Sequence, residues 1–100
     1  MISIDAKEKL SCLGLRLREC RLDRNEPQER FAARLGVSIP TLRKMENGDP
    51  SVNIGLWAET LWLLERMADI DGILKKEISL FDLMEAQSKP GRQRASKRTC

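Results

Sequence analysis

Apolar residues recur three and four positions apart along most of the chain, which is the spacing of one face of an α-helix. The first such row comprises Leu10, Leu13 and Leu17. It predicts a helix that begins near Asp5, a suitable N-cap, and ends before Pro27. Because Gly14 weakens a helix interior by up to about 1 kcal/mol relative to alanine, a break within this helix is an alternative.

Residues 28–48 contain two shorter rows on either side of a tight turn. The first row comprises Phe31, Ala32 and Leu35. It stops at Gly36, the residue type that takes a left-handed helix cap without steric cost. Ser38 is a good N-cap for the next helix, whose buried row is Leu42 and Met45. A helix, a short turn and a second helix form the helix-turn-helix unit, which lays its second helix in a DNA major groove. The pattern therefore predicts a DNA-binding protein.

A fourth helix is predicted after the turn at Asp49-Pro50, with Ser51 as its N-cap. Its apolar residues are Val52, Ile54, Leu56, Trp57, Leu61, Leu63 and Leu64. This stripe is broader than one core face requires, and a domain of this size cannot bury Trp57, Leu61 and Trp62 together. We therefore predict that these three residues form a homodimer interface. The alternative is a deep core with one exposed tryptophan.

The last third of the chain has weaker patterns. Residues 65–72 predict a short fifth helix or a turn, with Met67 and Ile70 inward. Residues 73–86 predict a final helix or a docked extended segment, and residues 88–100 lack apolar periodicity. The fold class predicted is all-α: a five-helix, repressor-like helix-turn-helix DNA-binding and dimerisation domain at residues 1–87, followed by a disordered basic tail at residues 88–100.

Composition excludes several classes of function. A chain of 100 residues with 41% apolar content suits one small domain. There is no histidine, which removes the common nucleophile pairs and the commonest metal ligand. The three cysteines lack the C-x-x-C spacing of a zinc site. We therefore expect no enzyme activity, no metal and no cofactor. No membrane span or signal peptide is evident, so a cytoplasmic protein is expected.

Charge is distributed unevenly along the chain. Residues 16–47 carry eight basic and five acidic side chains, whereas residues 48–87 carry three basic and eight acidic ones. Residues 88–100 carry five basic side chains and no acidic one. A basic helix-turn-helix followed in sequence by an acidic segment is typical of a protein that binds phosphates with one surface and a different partner with another.

Several short motifs resemble the phage-repressor and Cro-type (Xre) family of helix-turn-helix domains over residues 13–64. The marks are Gln28, Ala32, L-G-V-S at residues 35–38, Thr41-Leu42, and M-E-N-G at residues 45–48. The resemblance implies base contacts or nearby positions at Ser38, Ile39, Pro40, Thr41, Arg43 and Lys44. It also implies phosphate contacts at Gln28, Asn47 and Gly48, and a buried ion pair between Arg21 and Glu46.

The chemistry of these side chains narrows their roles. Lys44 can donate to guanine O6 and N7, whereas Ile39 and Pro40 offer only apolar contact, which suits a thymine methyl group. Arg43 could contact a base or a phosphate. The chain departs from the family before the second helix, where Glu26 is expected to bring negative charge near the phosphates. A cap for that helix is then expected from Asn25.

The second half of the chain resembles HipB-like antitoxins. The marks are G-D-P-S-V-N-I at residues 48–54, the Leu- and Trp-rich helix, the acidic segment and the basic tail. This resemblance implies a dimeric repressor of a palindromic DNA operator that is also the partner of a HipA-like serine/threonine kinase toxin. The alternatives are a stand-alone Xre-type regulator, or an interaction module whose helix-turn-helix no longer binds DNA.

Overall fold

The computed structural model describes residues 1–77. Within them the backbone forms four α-helices and one 3₁₀ helix and no strand, which confirms the all-α, five-helix prediction. The helices are α1 (Ile4–Asp23), α2 (Gln28–Leu35), α3 (Ile39–Glu46), α4 (Ile54–Leu63) and the 3₁₀ helix (Met67–Gly72). The predicted tail, the domain boundary at residue 87 and most of the segment 73–86 lie outside the described residues. None of the helices in the described part is long and apolar enough to cross a bilayer.

The first helix is continuous and starts earlier than predicted. Ser3, not Asp5, is its N-cap, and the Ser3 hydroxyl accepts a hydrogen bond from the Ala6 amide at 3.1 Å. Gly14 is buried, and a Cβ atom at this position would lie 2.5 Å from the carbonyl oxygens of Met45 and Glu46. This glycine therefore does not break α1; it allows α1 to approach the backbone at the end of α3.

The turn between α2 and α3 follows the sequence closely. Gly36 has φ 82°, and its amide donates to the carbonyls of Ala32 and Ala33, so it forms the predicted left-handed cap. The Ser38 hydroxyl accepts from the Thr41 amide at 3.2 Å, as expected of an N-cap. The helix α2 begins at Gln28, but its expected cap was wrong: Pro27 is the N-cap residue, and no side chain caps this helix, Asn25 included.

The core joins α1, α2, α3 and the end of α4. Its buried apolar residues are Leu17, Phe31, Ala32, Leu42, Met45 and Leu64. Thr60 is also fully buried, and its hydroxyl donates to the Leu56 carbonyl at 2.8 Å, so burial leaves no donor unsatisfied. Four helices of eight to twenty residues thus share one core that fixes how α3 is presented.

The entry to α4 differs from the prediction. Asn53 caps α4 by accepting from the Leu56 amide at 2.8 Å. Ser51 is therefore not the cap; its amide and hydroxyl instead donate to the Asp49 carboxylate, at 2.8 and 2.7 Å. The expectation that Met67 points inward is also wrong, since its side chain is exposed.

Candidate nucleic-acid interface

A buried ion pair connects the ends of α1 and α3. The Arg21 guanidinium donates to both carboxylate oxygens of Glu46, at 2.6 Å from Nε and 3.2 Å from Nη2. Its Nη1 donates to the Glu26 carbonyl at 2.9 Å. Both residues are more than nine-tenths buried. Charges removed from water require such partners, so this fork holds the end of α3 against α1.

Gln28, the first residue of α2, extends this pair toward the surface. Its amide nitrogen donates to Glu46 Oε1 at 3.1 Å, and its amide oxygen accepts from Arg43 Nε at 3.3 Å. The four side chains therefore form one hydrogen-bonded chain in the order Arg21, Glu46, Gln28, Arg43. One polar network links three helices and leads to an exposed arginine on α3.

The side chains of α3 lie on a buried side and an exposed side. Leu42, Met45 and Glu46 are buried, whereas Pro40, Arg43 and Lys44 are exposed. The Lys44 side chain makes no hydrogen bond or ion pair with any described residue.

Two other predicted base-contact residues already bond to each other. The Ser38 hydroxyl donates to the Thr41 hydroxyl at 3.0 Å while it caps the helix. Ile39 packs partly against the core. The exposed side of α3 thus offers the Lys44 ammonium, which makes no hydrogen bond or ion pair with a described residue, beside a small apolar surface.

The end of α3 carries two of the predicted phosphate contacts, Asn47 and Gly48. The Gly48 amide donates to the Met45 carbonyl at 3.0 Å, so it is already engaged. Gly48 is buried with φ 74°, and a Cβ atom there would collide with the Leu10 carbonyl oxygen. Asn47, the C-cap of α3, remains exposed. Of this pair, the Asn47 side chain is the group left available for a ligand.

The loop after α3 holds the Asp49 carboxylate in a hydrogen-bonded turn. Hydrogen bonds from the Ser51 hydroxyl, and then from the Ser51 amide, hold the pKa of Asp49 below its ordinary value. The nearby Lys44 ammonium adds a smaller lowering of the same pKa. Asp49 is therefore ionised at neutral pH and ties the end of α3 to the approach to α4.

Glu26 does not place an uncompensated charge near a ligand, contrary to the expectation. Its residue is 5% exposed, and its carboxylate accepts from Arg34 Nη1 at 2.6 Å. Because Arg34 compensates this charge, Glu26 presents no unpaired carboxylate at the surface before α2.

Arg18 is a surface residue that the sequence analysis missed. It lines two adjoining clefts together with Gln28 and Arg43. An exposed arginine on a helix gives no signal by itself. Its position one turn before Arg21 places it on the same side of α1 and is the signal that would have found it.

The three predicted dimer residues lie on two different sides of α4. Trp57 and Leu61 are half-buried and line a cleft between α1 and α4. Trp62 is 63% exposed and shares the outer stripe of α4 with Ile54, which is 67% exposed. Eight positions separate these two residues, so they lie two turns apart on one face.

The fold and the exposed α3 define a helix-turn-helix protein: two short helices joined through Gly36, with the second presented to solvent. The sequence profile described as "Helix-turn-helix domain" matches residues 13–76, and the chain belongs to this family. Neither the curated proteins nor the solved structures contain a significant match. Domains of this family are typical of DNA-binding regulators and are typically not enzymes. Among residues 1–77, no three candidate ligands lie close enough to hold a metal ion.

Proposed function

We propose that the protein is a sequence-specific repressor that binds double-stranded DNA by inserting α3 into the major groove. The observation that carries this proposal is the division of α3. Leu42, Met45 and Glu46 anchor one side in the protein, and the opposite side is exposed and bears Lys44, which makes no hydrogen bond or ion pair with a described residue. A helix held rigidly on one side can present the other to base edges without rearrangement.

Base recognition is assigned to the exposed row of α3 and to its first turn. Lys44 donates to guanine O6 and N7, and Pro40 contacts an adjacent thymine methyl group. Ser38, Ile39 and Thr41 line the edge of this contact. Gln28 and Asn47 approach phosphates on either side of the groove.

The proposed active form is a homodimer in which two copies of α3 bind half-sites about 10 base pairs apart. The exposed apolar stripe of α4 supports this proposal. Ile54 and Trp62 place two large side chains in water on one face, and such surface is normally buried by a partner. Trp57 and Leu61 extend the interface at its edge toward α1.

A narrower proposal is that the protein is the antitoxin of a HipA-like kinase, and it rests on the resemblance to HipB. Exposed carboxylates of the described residues beyond α3 would dock the toxin: Glu59, Glu65, Asp69, Asp71 and Glu77. Co-purification with the product of the neighbouring gene tests it. If that product is not a kinase and does not bind, the stand-alone Xre-type regulator is the remaining form of the proposal.

DNA binding is tested by fluorescence anisotropy on duplexes from the protein's own promoter, with a non-promoter duplex as competitor. Lys44→Ala should weaken binding to the target by about 1–3 kcal/mol and affect the competitor much less. Lys75→Ala, an exposed lysine beyond the 3₁₀ helix, is the matched control and should leave both affinities unchanged.

Two results would count against these assignments. Target affinity unchanged in Lys44→Ala would remove the proposed role of Lys44. Absence of salt-sensitive binding to any duplex, including those selected from a random pool, would favour a protein-interaction module instead.

A further inference from the structure

We infer that Arg18, Gln28 and Arg43 together hold one DNA backbone phosphate, so that Arg43 is a phosphate-binding residue and not a base-reading one. This inference rests on the proposed DNA binding. It adds Arg18 to the interface and assigns Arg43 one of the two roles that the sequence left open.

The three side chains come from three helices and meet at one place. Arg18 projects from α1, Gln28 begins α2, and Arg43 lies on α3, and all three line the same two adjoining clefts. The three residues are not neighbours in the sequence. The helix-turn-helix packing, with the Arg21–Glu46 pair at its centre, creates the site.

Arg43 is tethered toward these clefts by its own hydrogen bond. Its Nε donates to the Gln28 amide oxygen at 3.3 Å, which leaves the two terminal guanidinium nitrogens free for a ligand. Gln28 is fixed in turn by Glu46, which the buried Arg21 holds. The guanidinium is therefore oriented before any ligand binds.

The helical spacing of α3 separates Arg43 from the base-reading row. Arg43 lies one turn after Ile39, which lines the same cleft, whereas Lys44 lies one turn after the exposed Pro40. Successive residues of a helix point about 100° apart, so the two rows face different directions. The row of Arg43 faces the start of α2, and the row of Lys44 faces outward.

The charge around the cleft favours an anion. Neither Arg18 nor Arg43 makes an ion pair within residues 1–77. Glu29 also lines one of the clefts but pairs with neither arginine, and Glu26 is neutralised by Arg34. A phosphodiester offers two oxygens that can accept from two guanidinium groups and an amide.

The start of α2 adds backbone donors at the same place. Pro27 caps α2 without a side-chain hydrogen bond, so the first amides of this eight-residue helix have no protein acceptor. Pro27 and Gln28 both line the cleft. Free amides and the positive end of the helix dipole reinforce the attraction of the two arginines for an anion.

Salt dependence of binding distinguishes this site from base contact. The parent, Arg18→Ala, Arg43→Ala and the double variant are titrated with target and non-target duplexes over a range of salt concentrations. Each single variant should lose affinity by a similar factor for both duplexes. The double variant should lower the slope of log K against log salt by about 0.9, the value for one phosphate.

A chemically modified duplex identifies the phosphate itself. Methylphosphonate linkages, which carry no charge, are placed one at a time along the target. At one position the substitution should weaken the parent but leave the double variant unaffected. Lys44→Ala should remain sensitive at that position. Both arginines are exposed, so the variants should fold, and circular dichroism melting curves check this.

Three outcomes would overturn the inference. A loss in Arg43→Ala confined to the target duplex, with an unchanged salt slope, would make Arg43 a base-reading residue. A slope change of about 1.8 in the double variant would mean two separate phosphates. In the third outcome, the parent binds its target while no methylphosphonate position affects the parent and the double variant differently. That result would exclude a phosphate shared by Arg18 and Arg43. If the parent binds no duplex at all, the proposed function itself fails, which is a different result.

Discussion

The α3 face and the α4 stripe are built from opposite kinds of interaction. The α3 face, formed by Arg21, Gln28, Arg43 and Glu46, is held by hydrogen bonds between side chains of three helices. The α4 stripe, formed by Ile54, Ala58 and Trp62, has no such bonds and leaves two large apolar residues in water.

The difference indicates what each surface requires. Hydrogen bonds are directional, so a network of them fixes atoms within a fraction of an ångström, as a site that matches a rigid polymer needs. Burial of apolar area is not directional and depends only on covering the surface. We therefore expect substitutions in the α3 face to alter geometry and stability, and substitutions in the α4 stripe to alter association.

The largest effect is expected from Glu46→Ala. It leaves the Arg21 guanidinium buried without a carboxylate and removes the acceptor of the Gln28 amide. Breaking a buried pair in this way should lower the free energy of unfolding by about 3–5 kcal/mol, as measured by urea denaturation. Glu59→Ala, which removes an exposed carboxylate on α4, should change it by less than about 0.5 kcal/mol.

A paired substitution separates the burial of charge from packing. Arg21→Met with Glu46→Leu removes both charges and should recover most of the stability lost in Glu46→Ala. The double variant should still bind DNA poorly, because Gln28 and Arg43 lose their fixed partner. A double variant less stable than Glu46→Ala would contradict this account of the α3 face.

The next largest effect is expected at Gly14, where α1 meets α3. Gly14→Ala places a methyl group against two carbonyl oxygens at the end of α3 and should cost about 2–3 kcal/mol, because neither backbone can yield cheaply. Gly36→Ala has open space and only an unfavourable φ, so it should cost about 1–2 kcal/mol. Thermal denaturation of both variants tests the order, and an equal or reversed order would argue against close packing at Gly14.

The two tryptophans of α4 test the stripe directly. Trp57 packs partly against the core, so Trp57→Ala should lower the free energy of unfolding of the monomer by about 2 kcal/mol. Trp62→Ala should change it by less than about 0.5 kcal/mol but weaken dimerisation, as measured by sedimentation equilibrium. A Trp62→Ala protein that dimerises like the parent would exclude the outer stripe as the interface.

The smallest effect is expected at the Asp49–Ser51 loop between the two regions. The pKa of Asp49 is lowered in the folded protein, so its ionised form stabilises the fold above its unfolded pKa, and this contribution is lost as the pH falls through the folded value. Ser51→Ala should return the pKa of Asp49 toward its ordinary value in an NMR titration. The variant should become less stable at neutral pH and match the parent in strong acid. If the pKa of Asp49 is unchanged in Ser51→Ala, the hydrogen bond from the Ser51 hydroxyl is not the cause of its lowering.

Local rules were enough to predict the helix-turn-helix. The left-handed cap at Gly36 and the N-cap at Ser38 depend on residues within four positions of each other, and both are present as predicted. The cap of α4 was predicted wrongly, although it too depends on residues that are close together in the sequence. Ser51 and Asn53 are both good caps; Asn53 accepts from the Leu56 amide, whereas Ser51 closes a turn with Asp49.

Features that depend on packing between helices could not be predicted from patterns. Gly14 was interpreted as a weak point of α1, because the approach of α3 to that glycine is not visible in sequence. The contact between Gln28 and Arg43 spans fifteen positions and two helices. The Arg21–Glu46 pair was expected only through family resemblance, since spacing alone does not pair residues on α1 and α3.

The division of α3 into a buried and an exposed side has a consequence for how such a protein can change its DNA target. The residues that hold the helix in place are interior: Leu42, Met45 and Glu46. Two of those proposed to meet the bases, Pro40 and Lys44, are exposed. Exchanging the second group should cost little stability, whereas exchanging the first should cost several kcal/mol, about 3–5 in the case of Glu46→Ala. Under the proposed DNA binding, single surface substitutions would change operator preference without a compensating change in the interior.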